Sequence, residues 1–117
     1  MDERRALAIF GALSQETRLQ VVRLLVKAGA EGIAAGQIAE AVGVSASNIS
    51  FHLKELERAG VVTARREARS IVYTADIEAL SGLVRFLMED CCGGRPEICA
   101  PLLADLQSSC RPKKANA

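Results

Sequence analysis

Aromatic residues are nearly missing: three Phe, one Tyr and no Trp make up 3% of the 117 positions. A core here must be built from Leu, Ile, Val and Ala, side chains that fill the spaces between helices well. Long apolar runs are missing too. No stretch approaches the ~20 residues that cross a bilayer, and no apolar signal core follows Met1-Asp2-Glu3-Arg4-Arg5. The expectation is a cytoplasmic protein with no membrane partner. Charge of one sign is lacking: 15 Lys and Arg stand against 14 Asp and Glu, for a formal +1. Any attraction for nucleic acid must therefore be local, and Arg65, Arg66 and Arg69 are the densest basic group before the Arg111, Lys113 and Lys114 tail. His52 is the single histidine, which excludes a His-rich metal centre. Cysteine is absent from the first 90 residues, then appears as Cys91, Cys92, Cys99 and Cys110. A disulfide framework would be spread through the chain, so this clustering points to metal, metalloid or redox chemistry.

Half the residues are hydrophobic, enough for one folded domain of this length. Leu7, Phe10 and Leu13 predict a short first helix. Ser14 reads as the N-cap of a second, with Leu19, Val22, Leu25 and Val26 as its buried stripe and Gly29 and Gly32 at its end. A third helix carries Ile38, Ala39 and Val42 and stops at Gly43; a fourth, capped by Ser45, carries Ile49, Leu53 and Leu56 and stops at Gly60. From Val61 the pattern changes to β-branched runs, 61–63 and 70–73, flanking a charged turn, which predicts a hairpin. A last helix is predicted from about Asp76 to Asp90. Its Ile77, Leu80, Leu83, Val84, Phe86, Leu87 and Met88 cover more than one face, so it needs a second surface, most simply another copy of itself.

The segment from Gln37 to Leu56 has helix-turn-helix spacing: Ala39 four residues before Gly43, Ile49 six after it, and Ile38, Val42 and Val44 as packing residues. That arrangement leaves the start of the second helix free to enter a major groove. Ser45, Ser47, Asn48, Ser50, Phe51 and Lys54 are the candidate DNA contacts, with short polar side chains for base edges and Phe51 for a thymine methyl. The hairpin that follows, with Arg65, Arg66 and Arg69 near its tip, is placed to lie on phosphates beside the groove.

The run Val44-Ser45-x-Ser47…Ser50-x-His52-Leu53-x-x-Leu56-x-x-Ala59-Gly60-Val61-Val62, then Arg66-x-x-Arg69-x-x-x-Tyr73, resembles the arsenic-responsive repressor (ArsR/SmtB) family. The resemblance covers residues 7 to 90. It implies a mainly α winged helix-turn-helix fold with a β-hairpin wing. It also implies a homodimer joined by the first and last helices, bound to double-stranded operator DNA until an inducer releases it. Three departures stand out. The stretch Ile38 to Val44 has none of the cysteines that arsenic sensors place on the first helix of the motif, and the last helix has none of the histidines of zinc sensors. Ala68 occupies a wing position where the family often has Gly, so if that position needs positive φ the turn must change geometry. His52 matches a commonly His position and lies beside the buried stripe, which assigns it packing and hydrogen bonding rather than ligation.

Residues 1–92 are thus expected to form the DNA-binding and dimerisation domain, and 93–117 a cysteine-containing loop and flexible tail. Cys91, Cys92 and Cys99 fall within nine residues, and Gly93, Gly94 and Pro96 permit a loop that returns the third thiol to the first two. Three convergent thiolates suit As(III) or Sb(III), which form pyramidal three-sulfur complexes; zinc or cadmium would draw in a fourth ligand such as Cys110, Glu89 or Asp90. Some arsenic-responsive members of the family carry a similar Cys-Cys pair followed by a third cysteine. A dithiol redox or persulfide switch uses two of the same thiols. A thiol-based arsenate reductase is the alternative from another class. It is disfavoured because the Cys pair sits at a helix C-terminus beside Glu89 and Asp90 and no Cys-x5-Arg loop exists.

Overall fold

The computed structural model describes residues 1–91, with side chains through Met88. Met1–Leu83 form one compact unit, and the second half of the last helix belongs to another.

Helix α1 spans Glu3–Leu13 and starts at Asp2, whose carboxylate accepts from the Arg5 amide at 2.8 Å. Its buried face is Ala6, Ile9 and Ala12, while Leu7 and Phe10 are 64% and 41% exposed. The apolar edge that Leu7 and Phe10 form thus faces away from the core of the subunit. α1 lies chiefly on the fourth helix, and two alanines flanking Ile9 permit close approach where larger residues would hold the helices apart. Ser14 is not the N-cap of the next helix: it closes α1, its hydroxyl donating to the Gly11 carbonyl at 2.8 Å. Helix α2, Glu16–Ala28, is capped instead by Gln15, whose side-chain oxygen accepts from the Arg18 amide.

The core stripe of α2 is Val21, Val22 and Leu25, rotated from the expected one, so Leu19 and Val26 lie nearly half exposed. The rotation follows from its partners: besides α1, α2 packs on the sheet and on the third and fourth helices. A 3₁₀ turn, Gly29–Glu31, leads to β1, Ile33–Ala34, a strand too short to carry a periodic signal. Then come α3 (Ala35–Val42), α4 (Ala46–Ala59), β2 (Val62–Glu67) and β3 (Ser70–Ala75). The hairpin is thus part of a three-stranded antiparallel sheet in the order β1-β3-β2, with Ile33 opposite Tyr73 and Val62 opposite Ala75.

Helix α5, Ile77–Cys91, begins after Asp76, whose carboxylate accepts from the Ala79 amide at 3.0 Å; Asp76 is a cap rather than the first helical turn. Ala79 and Leu83 are buried, while Ile77, Val84 and Leu87 stand exposed at helical spacings of seven and three. Among the described residues the fully buried side chains are all aliphatic: Ile9, Val21, Leu25, Ile38, Ile49, Leu53, Leu56, Val61 and Val62. Phe10 and Phe51 both sit on the surface instead. No helix among the described residues is long and apolar enough to cross a membrane.

Candidate nucleic-acid interface

α3 ends at Gly43, which takes φ +74° and ψ +38°, a left-handed conformation that a β-carbon disfavours. The Gly43 and Val44 amides both donate to the Ala39 carbonyl, at 2.9 and 3.1 Å, so the chain turns within one residue of the helix end. Ser45 Oγ then accepts from the Asn48 amide at 3.2 Å and starts α4. Ile38 and Ala39 from one helix and Ile49, Leu53 and Leu56 from the other are buried, locking the pair. Ser47, Asn48, Ser50 and Phe51 on the first half of α4 and Lys54 just past its middle are all exposed, as the spacing predicts. Free backbone N–H groups and the positive end of the helix dipole add to the attraction of this end for phosphate. Phe51 is 58% exposed, a large apolar ring left in water. Ser45 differs from its neighbours in that its hydroxyl is already engaged as the cap and lies 3.3 Å from Ser47 Oγ. On the next turn of the helix Glu55 is paired with Arg58 at 2.9 Å.

The wing separates the three arginines that the sequence groups together. Side chains alternate along a strand, so Val62, Ala64 and Arg66 share a face with Ala75, Tyr73 and Ile71, and Thr63, Arg65 and Glu67 share the other. Arg65 donates to the Ala30 and Glu31 carbonyls at 3.2 and 2.7 Å and pairs with Glu67, which ties the wing to the 3₁₀ turn. Arg66 lies on the face of Tyr73. Burial, reinforced by the Glu57 carboxylate of α4, raises the Tyr73 phenol above its ordinary value. Arg66 and Arg69 are exposed and have no hydrogen-bond or ion-pair partner among the described residues. Ile71, opposite Arg66, is 43% exposed and belongs to the surface of this face.

Ala68 adopts φ +56° in the two-residue turn between Glu67 and Ser70. The turn thus keeps positive φ at this position without glycine, contrary to the expected change of geometry. His52 is half-buried on α4, its Nδ1 3.1 Å from Arg18 Nη1, and its ring meets Phe51 edge-on at 5.5 Å. Arg18 also donates from Nε to the Ala12 carbonyl at 2.7 Å. Burial first, then the Arg18 charge, lower the His52 pKa. This link spans 34 residues of sequence, and no local pattern signals it.

Of the three candidate metalloid ligands, Cys91 is the last residue of α5, and Cys92 and Cys99 lie outside the described residues, as does Cys110. Among the described residues no group of three His, Cys, Asp or Glu side chains is arranged to hold a metal ion.

A helix-turn-helix domain family matches residues 13–65. The chain is 31% identical over 88 residues to the HTH-type transcriptional regulator YgaV of Escherichia coli (strain K12), covering 75% of this chain and 87% of that one. Among solved structures, an ArsR-like transcriptional regulator from Rhodococcus sp. RHA1 superposes with a TM-score of 0.69 at 28% identity, over 83% of this chain and 89% of that one. The homodimeric winged helix-turn-helix DNA-binding domain of Mb0332 from Mycobacterium bovis, a possible ArsR-family regulator, gives a TM-score of 0.59 at 28% identity, over 77% and 89%.

Proposed function

The chain belongs to the ArsR/SmtB family of winged helix-turn-helix transcriptional regulators, and on that premise we propose that it is a homodimeric repressor released from operator DNA by As(III) or Sb(III). The observation that carries the DNA-binding part is the exposed face of α4, Ser47, Asn48, Ser50, Phe51 and Lys54, followed in the chain by a hairpin on which Arg66 and Arg69 are exposed. In this reading α4 lies in the major groove and reads base edges, while Arg66 and Arg69 hold the flanking phosphates.

Dimerisation is supported by apolar surface that a lone subunit leaves in water: Leu7 and Phe10 on α1, and Ile77, Val84 and Leu87 on α5. Two subunits related by a two-fold axis present two copies of α4, and an operator with half-sites ~34 Å apart accepts both. A dimer seated across two turns of a promoter blocks other proteins from that duplex, which is the simplest route to repression.

The sensor reading rests on the donor set. Cys91, Cys92 and Cys99 offer three soft thiolates within nine residues, next to the end of α5. Residues 1–92 would then be the DNA-binding and dimerisation domain, and 93–117 the segment that closes on the inducer. Binding there displaces the end of α5 and changes the spacing of the two α4 helices; a coupling of ~1–3 kcal/mol lowers operator affinity from several-fold to about a hundredfold. Titrating the operator complex in parallel with arsenite, zinc, cadmium and peroxide tests the assignment. Release by arsenite alone is expected. Release by zinc or cadmium instead would make the site tetrahedral, and release by peroxide alone would make it a redox switch.

A further inference from the structure

Between the end of α1 and the middle of α4 runs a polar link that neither DNA contact nor the core requires. Arg18, near the start of α2, donates from Nε to the Ala12 carbonyl and from Nη1 to His52 Nδ1. Ala12 lies in the last turn of α1, where carbonyls have no partner within the helix. His52 is adjacent to Phe51 and touches its ring, and Phe51 is on the exposed reading face. One guanidinium therefore connects the helix that carries Leu7 and Phe10 to the helix that presents the base-reading side chains.

We propose that Arg18 is a positioning residue for operator recognition: by holding the Ala12 carbonyl and His52 Nδ1 together it sets the placement of α4, and the hold lasts only while His52 is neutral. The proposal rests on the reading of α4 as the DNA-contacting helix.

The chemistry is one-directional. Arginine has donors only and stays charged, so Nδ1 must be the acceptor, which places the proton of the neutral ring on Nε2. A second proton on the ring would turn Nδ1 into a donor facing a donor and set two cations 3.1 Å apart. α4 packs against α1, α2, α3 and β2. Of the ionisable groups on these elements, among them Arg5, Glu40, Lys54, Glu55 and Arg65, Arg18 is the one whose charge acts on His52. The folded protein thus favours neutral His52. The stabilisation from the link is complete above the ordinary value of 6.5 and is lost as pH falls from there through the lowered folded value. Base reading tolerates displacements of only ~0.5 Å, so losing the link should affect sequence discrimination more than general attraction to phosphate. Lysine cannot replace Arg18, because a single ammonium on a flexible stem lacks the fork that reaches two acceptors at fixed angles.

The test uses the full chain and a duplex enriched from a random-sequence library by the wild-type protein, with a scrambled duplex as reference. Affinities for both are measured at pH 7.5 and pH 5.5, with circular dichroism on the same samples. At pH 7.5, R18A, R18K and H52L should bind the enriched duplex about tenfold more weakly, the size of one charge-assisted hydrogen bond, and the scrambled duplex unchanged. H52N keeps an acceptor near the Nδ1 position and does not titrate, so it should retain wild-type affinity at both pH values, whereas the wild type should weaken on acidification, by less than tenfold because the folded value lies below the ordinary one. Parallel losses on both duplexes, or equal acid sensitivity of wild type and H52N, would overturn the positioning role. Failure of the wild-type chain to enrich any duplex would refute the reading of α4 itself.

Discussion

Gly32 should be the least replaceable glycine in the chain. It adopts φ +72° where the 3₁₀ turn meets β1, and a β-carbon there would lie 2.6 Å from the Tyr73 carbonyl oxygen, 2.7 Å from Thr74 Cγ2 and 2.8 Å from Val72 Cγ1. The carbonyl belongs to β3, the central strand, which is paired on both sides and has no free direction in which to move. Gly43 has nearly the same φ, +74°, with nothing within 4 Å of the added carbon. For Gly43→Ala the left-handed backbone costs ~1–2 kcal/mol, partly offset by the lower entropy of the unfolded chain, for a net loss of about 1 kcal/mol. Gly32→Ala carries at least that loss, since its ψ of −175° lies in a region essentially reserved for glycine rather than in the left-handed well of Gly43, plus overpacking of ~1–3 kcal/mol, at least about 2–4 kcal/mol altogether. Urea unfolding followed by circular dichroism, at one protein concentration for all variants, measures both. Gly36→Ala is the opposite control: in α3, without positive φ and with open space around it, it should stabilise by ~1 kcal/mol. If Gly32→Ala falls within 0.5 kcal/mol of Gly43→Ala, a resolution set by ordinary unfolding scatter, the close approach of the turn to β3 is not what fixes this position.

Ala68→Gly should raise stability by ~0.5–1 kcal/mol, because φ +56° strains alanine and not glycine; urea midpoints will show it. Phe10→Glu and Leu87→Glu should yield folded monomers with weakened operator binding, read by sedimentation; Leu83→Glu should instead unfold the chain, since Leu83 is only 6% exposed. Arg66→Ala should weaken enriched and random duplexes alike, whereas Asn48→Ala or Ser50→Ala should change sequence preference by ~1–3 kcal/mol in a binding competition. Cys91→Ser, Cys92→Ser and Cys99→Ser should each keep operator binding and lose release by arsenite, while Cys110→Ser stays responsive. X-ray absorption on the arsenic complex should show three sulfur neighbours.

The helix-turn-helix was readable because its signals are local. Ser45, Gly43 and Gly60 act as a cap and two helix ends through backbone needs that each residue type meets by itself, and Ile49, Leu53 and Leu56 recur at the period of the helix. Readings that depended on a partner fared differently. Leu7 and Phe10 look like the core edge of α1 by size, yet the neighbour across from α1 selects the small side, Ala6 and Ala12. β1 has two residues and exists only because β3 offers a free edge. Periodicity cannot tell Leu19, left in water, from Val21, buried, when α2 has several partners. The Arg18 link to His52 depends on three elements meeting, and nothing in either residue's own neighbourhood announces it.

The latch between Arg65 and the 3₁₀ turn also sets how the protein should respond to ionic strength. DNA carries condensed counterions, and each phosphate neutralised by a side chain releases about 0.9 of one. Three wing arginines per subunit would release about 2.7 ions, but a guanidinium already held by two carbonyls and a carboxylate releases none, which leaves about 1.8 from Arg66 and Arg69. For two wings the logarithmic salt slope is then shallower by nearly two units than the arginine count implies. Arg65→Gln should leave that slope where it was, even as it frees the base of the wing.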